Sequence, residues 1–69
     1  MSDSVYKVIQ LVGTSEKSWE DAARSAVERA AKTLRDMRIA EVQQLDMKVE
    51  NNKVVAFRAR VNVSFKYED

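Results

Sequence analysis

From Val55 to Tyr67 the side chains alternate without a break. Val55, Phe57, Ala59, Val61, Val63, Phe65 and Tyr67 are apolar or aromatic, and between them stand Ala56, Arg58, Arg60, Asn62, Ser64 and Lys66. A period of two is the signature of a strand with one buried and one open face. At roughly 3.3 Å per residue, the run from Lys53 to Tyr67 spans about 50 Å. In a chain of 69 residues, such a strand dictates the rest of the architecture.

A helix is predicted upstream of it. Trp19, Ala22, Ala23, Ala26, Val27, Ala30, Ala31, Leu34 and Met37 recur at three- and four-residue steps, which places them on one helical face. Ser18, three residues before Asp21, forms a capping-box pattern with Asp in place of Glu. Glu20 with Arg24 and Glu28 with Lys32 are acid-first pairs one turn apart on the outer face. The alanines of the middle turns require the helix to lie close against its neighbour.

Two further strands are expected. Ser4–Val12 is rich in β-branched residues and is read as ending at Gly13, the only glycine. Ile39–Glu50 is extended and leads through Asn51-Asn52, a pair that tolerates the left-handed backbone of a tight hairpin. The order is therefore βαββ in a single domain spanning 1–69. The helix lets β1 and β2 run parallel, and the hairpin sets β3 antiparallel to β2. With β3 in the middle, the fold is α+β: a three-stranded antiparallel sheet of order 1-3-2 with the helix on one face.

The elements do not match in length. A helix from Trp19 to Met37 is about 28 Å long at 1.5 Å per residue, so it leaves part of the sheet bare. The expectation is that Val63, Phe65 and Tyr67 stay wet in a lone subunit and are covered by copies of the chain. Chain size points the same way. A domain of about 60 residues buries only about 60% of its unfolded surface, and with Cys 0 no disulfide makes up the deficit.

Composition removes several functional classes. With Cys 0 and His 0, thiol and histidine-dependent catalysis and the usual zinc, copper or haem sites are absent. The remaining carboxylates, lysines and tyrosines show no diagnostic catalytic spacing, so no enzyme is expected. A net charge of +1 leaves no basic footprint for nucleic acid. No signal peptide or membrane-spanning run is recognised, and a cytoplasmic location is expected.

Individual residues carry paired readings. Trp19, on the apolar helix stripe, is read as packing and not as a cofactor partner. Asp46 with Glu41 or Glu50 offers oxygen ligands to a hard cation once symmetry copies converge, or else simply guards an edge strand with charge. Arg58 and Arg60 share the polar face of β3 and either bind phosphate or pair with Glu41 or Asp46 across strands. Glu68-Asp69 reads as a solubilising tail.

The combined pattern resembles the dodecin family. The resemblance rests on Val5-Tyr6-Lys7-Val8-Ile9, Val12-Gly13-Thr14-Ser15, the alanine-rich helix, Glu41-Val42 and Val61-Asn62-Val63-Ser64-Phe65. It covers nearly the whole chain. It implies a hollow homododecamer of cubic-type symmetry that stores or buffers flavins, bound in pairs at subunit interfaces, without turnover chemistry.

The departures from the flavin-binding pattern are specific. Where flavin-binding members carry a stacking Trp, this chain has Ile39. Where they carry a flavin-bonding Gln in β3, it has Arg58, and near the end of the Glu-Val strand Asp46 replaces an Arg suited to a flavin phosphate. Losing the indole removes a stacking contact worth about 0.5–1.5 kcal/mol. Arginine cannot accept a hydrogen bond, and aspartate repels phosphate. Ser18-Trp19-Glu20, aliphatic Ile39, Asp46-Met47 and Arg58 are similar to a calcium-associated branch of the family.

The resulting expectation is a homododecamer that sequesters a small ligand or ion, with weak or absent flavin binding and calcium as the ion. The alternatives are a riboflavin or FMN store with a different stacking arrangement, in which Ile39 clamps the flavins, and a purely structural homo-oligomer.

Overall fold

The computed structural model describes residues 5–66. Its elements follow the expected order: β1 (Tyr6–Ser15), α1 (Trp19–Ala30), β2 (Met37–Glu50) and β3 (Lys53–Lys66). The strands form one antiparallel sheet in the order β1-β3-β2. Asn51 and Asn52 close the β2–β3 hairpin with φ of 53° and 62°, the positive pair that a two-residue turn of matching twist requires. Ser4 and Tyr67, the outer ends expected for β1 and β3, lie outside the described residues.

The alternation of β3 sorts the sheet into two faces. Phe57, Ala59, Val61 and Val63 turn toward α1, with Leu11 and Ile9 of β1 opposite Val61 and Val63. Ala22, Ala59, Val61 and Val63 are fully buried, and Ile9, Leu11, Ala23, Val27 and Met37 pack around them. α1 lies over β1 and β3 and meets β2 only at its margin. The close approach anticipated from the alanines is real, and Gly13 makes it so. A Cβ on Gly13 would run into the Ala22 carbonyl and lie 3.0 Å from the Ala26 Cβ.

Gly13 is therefore not a strand terminator. β1 continues through it to Ser15, with Gly13 opposite Ala59 and Ser15 opposite Phe57. The glycine is needed for closeness and not for a turn, since its φ is not in the left-handed region.

Helix α1 is shorter than its apolar period suggested. Ala31, Thr33 and Leu34 send their N–H groups back to Val27 or Ala30, and the Thr33 hydroxyl donates to the Ala30 carbonyl. That competition between side chain and backbone closes the last turns. Asp36 then adopts a left-handed φ of 59° and redirects the chain, its carbonyl accepting from Lys66 N at 3.2 Å. Met37 consequently opens β2 instead of ending the helix.

The start of α1 is capped through a relay. The Ser18 hydroxyl accepts from Asp21 N at 3.0 Å, while the Asp21 carboxylate turns to Ser15, whose hydroxyl donates to it at 2.7 Å. The Ser15 oxygen also accepts from Lys17 N at 2.9 Å. The reciprocal half of the capping box is thus taken over by the last residue of β1.

A 12-residue helix is only about 18 Å long. The uncovered surface, however, lies at the other end from the one expected: Val63 is buried and Phe65 half-buried. Pairing with β1 ends at Phe57, and beyond it β2 and β3 continue alone as a two-stranded arm from Lys48↔Ala56 to Glu50↔Lys53. Met47, Val49, Val54 and Val55 on and beside this arm are exposed. The radius of gyration is 14.4 Å, against about 11 Å for a compact chain of this length. The accessible surface of 5606 Å² likewise exceeds the roughly 4,400 Å² of a compact protein of this mass. No helix among the described residues is long and apolar enough to cross a membrane.

Candidate functional site

The sheet face turned away from α1 carries a ladder of polar side chains along β3, each bonded to a neighbouring strand. Arg58 stands opposite Asp46 of β2 and Thr14 of β1, Arg60 opposite Gln44 and Val12, and Asn62 opposite Glu41 and Gln10. Arg58 Nε donates to Asp46 Oδ1 at 2.7 Å and its Nη2 donates to Oδ2 at 2.8 Å. This is the two-pronged geometry that planar guanidinium and carboxylate groups favour. Arg60 Nη1 donates to Gln44 Oε1 at 3.2 Å, and Gln10 Nε2 donates to Asn62 Oδ1 at 3.0 Å. The Ser64 hydroxyl reaches the Ile39 carbonyl at 3.4 Å.

Aliphatic side chains flank the ladder. Val8 and Val12 of β1 and Ile39 of β2 stand exposed on the same face, Ile39 most of all at 65%. The surface therefore offers a strip of hydrogen-bond donors and acceptors with apolar margins.

Arg58 holds the Asp46 carboxyl below the ordinary carboxylate range, chiefly by hydrogen bonding, and the nearby Arg60 adds to the effect. The same pairing reinforces the positive charge of Arg58. Of the two sequence readings for Arg58, cross-strand pairing is the one realised, with Asp46 as partner.

Asp46 also reaches the opposite face. Its backbone carbonyl accepts from Trp19 Nε1 at 3.0 Å. Trp19 in turn meets Phe57 edge-on, ring centroids 5.1 Å apart. Trp19, Phe57, Arg58 and Asp46 thus form one continuous connection from the helix start through the sheet to the polar ladder. A space of about 440 Å³ opens beside the indole between Ala23, Val42 and Leu45.

The three carboxylates considered for a cation are not brought together within one subunit. Glu41 and Asp46 both belong to β2 but face different rungs, Asn62 and Arg58. Glu50 lies at the arm tip, where it pairs with Lys48 at 3.4 Å. Among the described residues no group of three acidic side chains converges. Calcium takes six to eight oxygens, so the described residues of a single subunit do not fit the ion by themselves.

Sequence reasoning missed Gln44 and Gln10 as members of the ladder. A register shift between Val42 and Gln44 displaces the β2 alternation by one residue, which hides Gln44 from a period-two reading. The bond from Trp19 to the Asp46 backbone has no sequence signal at all.

The dodecin family profile matches residues 5–68. The chain belongs to the dodecin family. Among dodecins, it is 48% identical over 63 residues to the calcium dodecin of Mycobacterium tuberculosis, covering 91% of this chain and 89% of that one. A dodecin from Streptomyces coelicolor superposes with a TM-score of 0.91 at 35% identity, covering 100% of this chain and 99% of that one. A crystal structure of the M. tuberculosis calcium dodecin, described as calcium chelating with a novel calcium-binding site, gives a TM-score of 0.84 at 46% identity. That match covers 94% of this chain and 93% of the other.

Proposed function

We propose that this dodecin is the subunit of a closed homododecamer that binds and sequesters a small ion, calcium, at its repeated interfaces, with flavin binding weakened or lost. Its role is binding and not turnover. The observation that carries the reading is the two-pronged Asp46–Arg58 pair. It occupies positions that the flavin-binding pattern gives to a neutral hydrogen-bonding side chain and a phosphate-attracting arginine. A charged pair satisfied within the subunit leaves neither of these contacts for a flavin.

Two further features support the proposal. The bare arm supplies apolar surface for contacts between copies, and the similarity to a calcium dodecin favours an oxygen-liganded ion. Asp46, joined by Glu41 or Glu50 from neighbouring copies, is the candidate donor set. When bound, calcium would draw these carboxylates from different copies together.

Native mass spectrometry on protein purified without chelator tests the reading. Twelve subunits with calcium, and a melting temperature raised by calcium but not by magnesium, are expected. A smaller species, or no shift at millimolar calcium, would overturn the assembly or the ion reading respectively. Twelve subunits that bind neither ion nor flavin would instead mark a structural homo-oligomer. A second reading, a flavin store, is favoured only by the exposure of Ile39 on the ladder face. Quenching of riboflavin fluorescence at micromolar protein would establish it in place of the first.

A further inference from the structure

The hollow beside Trp19 is bare for a geometric reason. Helix α1 lies over β1 and β3 and reaches only the margin of β2. Val42 and Leu45, which stand opposite Val61 and Ala59, are therefore left exposed on the helix side of the sheet. With Trp19 and Ala23 they wall an apolar space of about 440 Å³, and Glu20 is the only charged residue lining it. Glu20 forms no ion pair among the described residues. The hollow calls for an apolar group with a cation beside it.

The arm carries that chemistry. Val49 and Val54 stand opposite each other near its tip, both exposed. Lys53, next to Val54, forms no ion pair among the described residues, and Glu50 is taken by Lys48. The arm cannot serve its own hollow. Val54 lies five residues along β3 from Ala59, about 17 Å at strand spacing, and the β2–β3 pairing keeps the arm extended. Surface area fits a second copy as the occupant. The chain exposes about 1,200 Å² more than a compact protein of its mass, and a standard contact hides about 800 Å² on each partner.

We infer that the arm of one copy docks in the Trp19 hollow of a neighbouring copy, its exposed valines against Val42 and Leu45 and its Lys53 against Glu20. The inference rests on the reading that copies of this chain assemble, and it names the surfaces that meet. Arm and hollow are different patches of one molecule, so every copy gives one contact and receives one. Head-to-tail contacts of this kind repeat around rings and suit a closed assembly. The receiving wall is the indole whose N–H is bonded to the Asp46 carbonyl, so a docked arm braces the back of the Asp46–Arg58 rung.

The test joins carboxylates to amines in the full chain with a zero-length carbodiimide, followed by peptide mass spectrometry of the covalent dimer band. A link between Glu20 and Lys53 is expected there. Glu20→Lys and Lys53→Glu should each raise the protein concentration at half-dissociation about five-fold, and the two together should return it to the wild-type value. Both residues are exposed, so circular dichroism should show the same fold in all three variants. Emission from Trp19, the only tryptophan, should move to longer wavelength as dilution opens the hollow. An assembled wild type without the link, or with the link only in the monomer band, overturns the inference and leaves the assembly reading standing. So do charge reversals that have no effect singly or that the combined variant does not repair. A wild type that is a single subunit at every concentration overturns both.

Discussion

The two halves of β3 lie in contrasting surroundings although both are built from the same alternating pattern. From Phe57 to Val63 the strand is flanked by β1 and β2 and roofed by α1, and its alanine and valines are fully buried. From Lys53 to Ala56 it has one neighbour and no roof, and its valines face solvent. Apolar alternation alone does not distinguish a core strand from an interface strand. What distinguishes them is the reach of a 12-residue helix and the point where β1 ends. The covered half makes the subunit fold, and the bare half gives it a reason to associate.

Substitutions can sharpen this contrast. The largest effect on folding is expected at Gly13, where a valine must displace the Ala22 backbone. Gly13→Val should cost about 3 kcal/mol or prevent folding, read from denaturant unfolding. Val61→Ala, in the same half, leaves a cavity in the centre of the core and should cost about 2 kcal/mol by the same measurement. Ser18→Ala removes the accepting hydroxyl at the helix start and should cost about 1 kcal/mol.

Val54→Lys on the arm should change the stability of the isolated fold by only about 0.5 kcal/mol, as exposed substitutions do. Its readout is the subunit number in native mass spectrometry, which should fall. An arm variant that lowers the unfolding free energy strongly while leaving the subunit number unchanged would reverse the assignment of the two halves.

The smallest effect concerns pH. Arg58 lowers the folded-state pKa of Asp46, so the stabilisation is complete above the unfolded-state value near pH 4. It is lost as pH falls through the lower folded-state value. Asp46→Asn should flatten that part of the acid limb in thermal unfolding followed from pH 5 to 2. Because the pair is partly exposed, added salt should also shrink the difference.

Much of this was legible in the sequence. The long alternation, the Asn51-Asn52 turn and the alanine stripe were enough for the element order, the central position of β3 and the close helix. Three features were hidden for physical reasons. Leu34 and Met37 continue the helical spacing although the chain leaves the helix at Ala31, because periodicity records which side chains turn inward and not which backbone holds them. Gly13 has the composition of a turn but serves clearance, a distinction that exists only once the helix is docked. The bare arm was expected at the opposite end, because an overlong apparent helix misplaced its cover. At the site, Arg58 and Asp46 were both named from the sequence, but the register shift between Val42 and Gln44 that brings Gln44 to Arg60 was not visible.

Among the described residues the fully buried core contains no side chain larger than valine. A subunit with so little interior and so much uncovered apolar strand would gain a large share of its stability from any neighbours that cover the strand. On the proposed assembly its melting point is a property of the solution as much as of the sequence, and should fall on dilution and rise with total protein. The more of this chain there is, the more of its bare strand an assembly would cover, so that abundance itself would add to its stability.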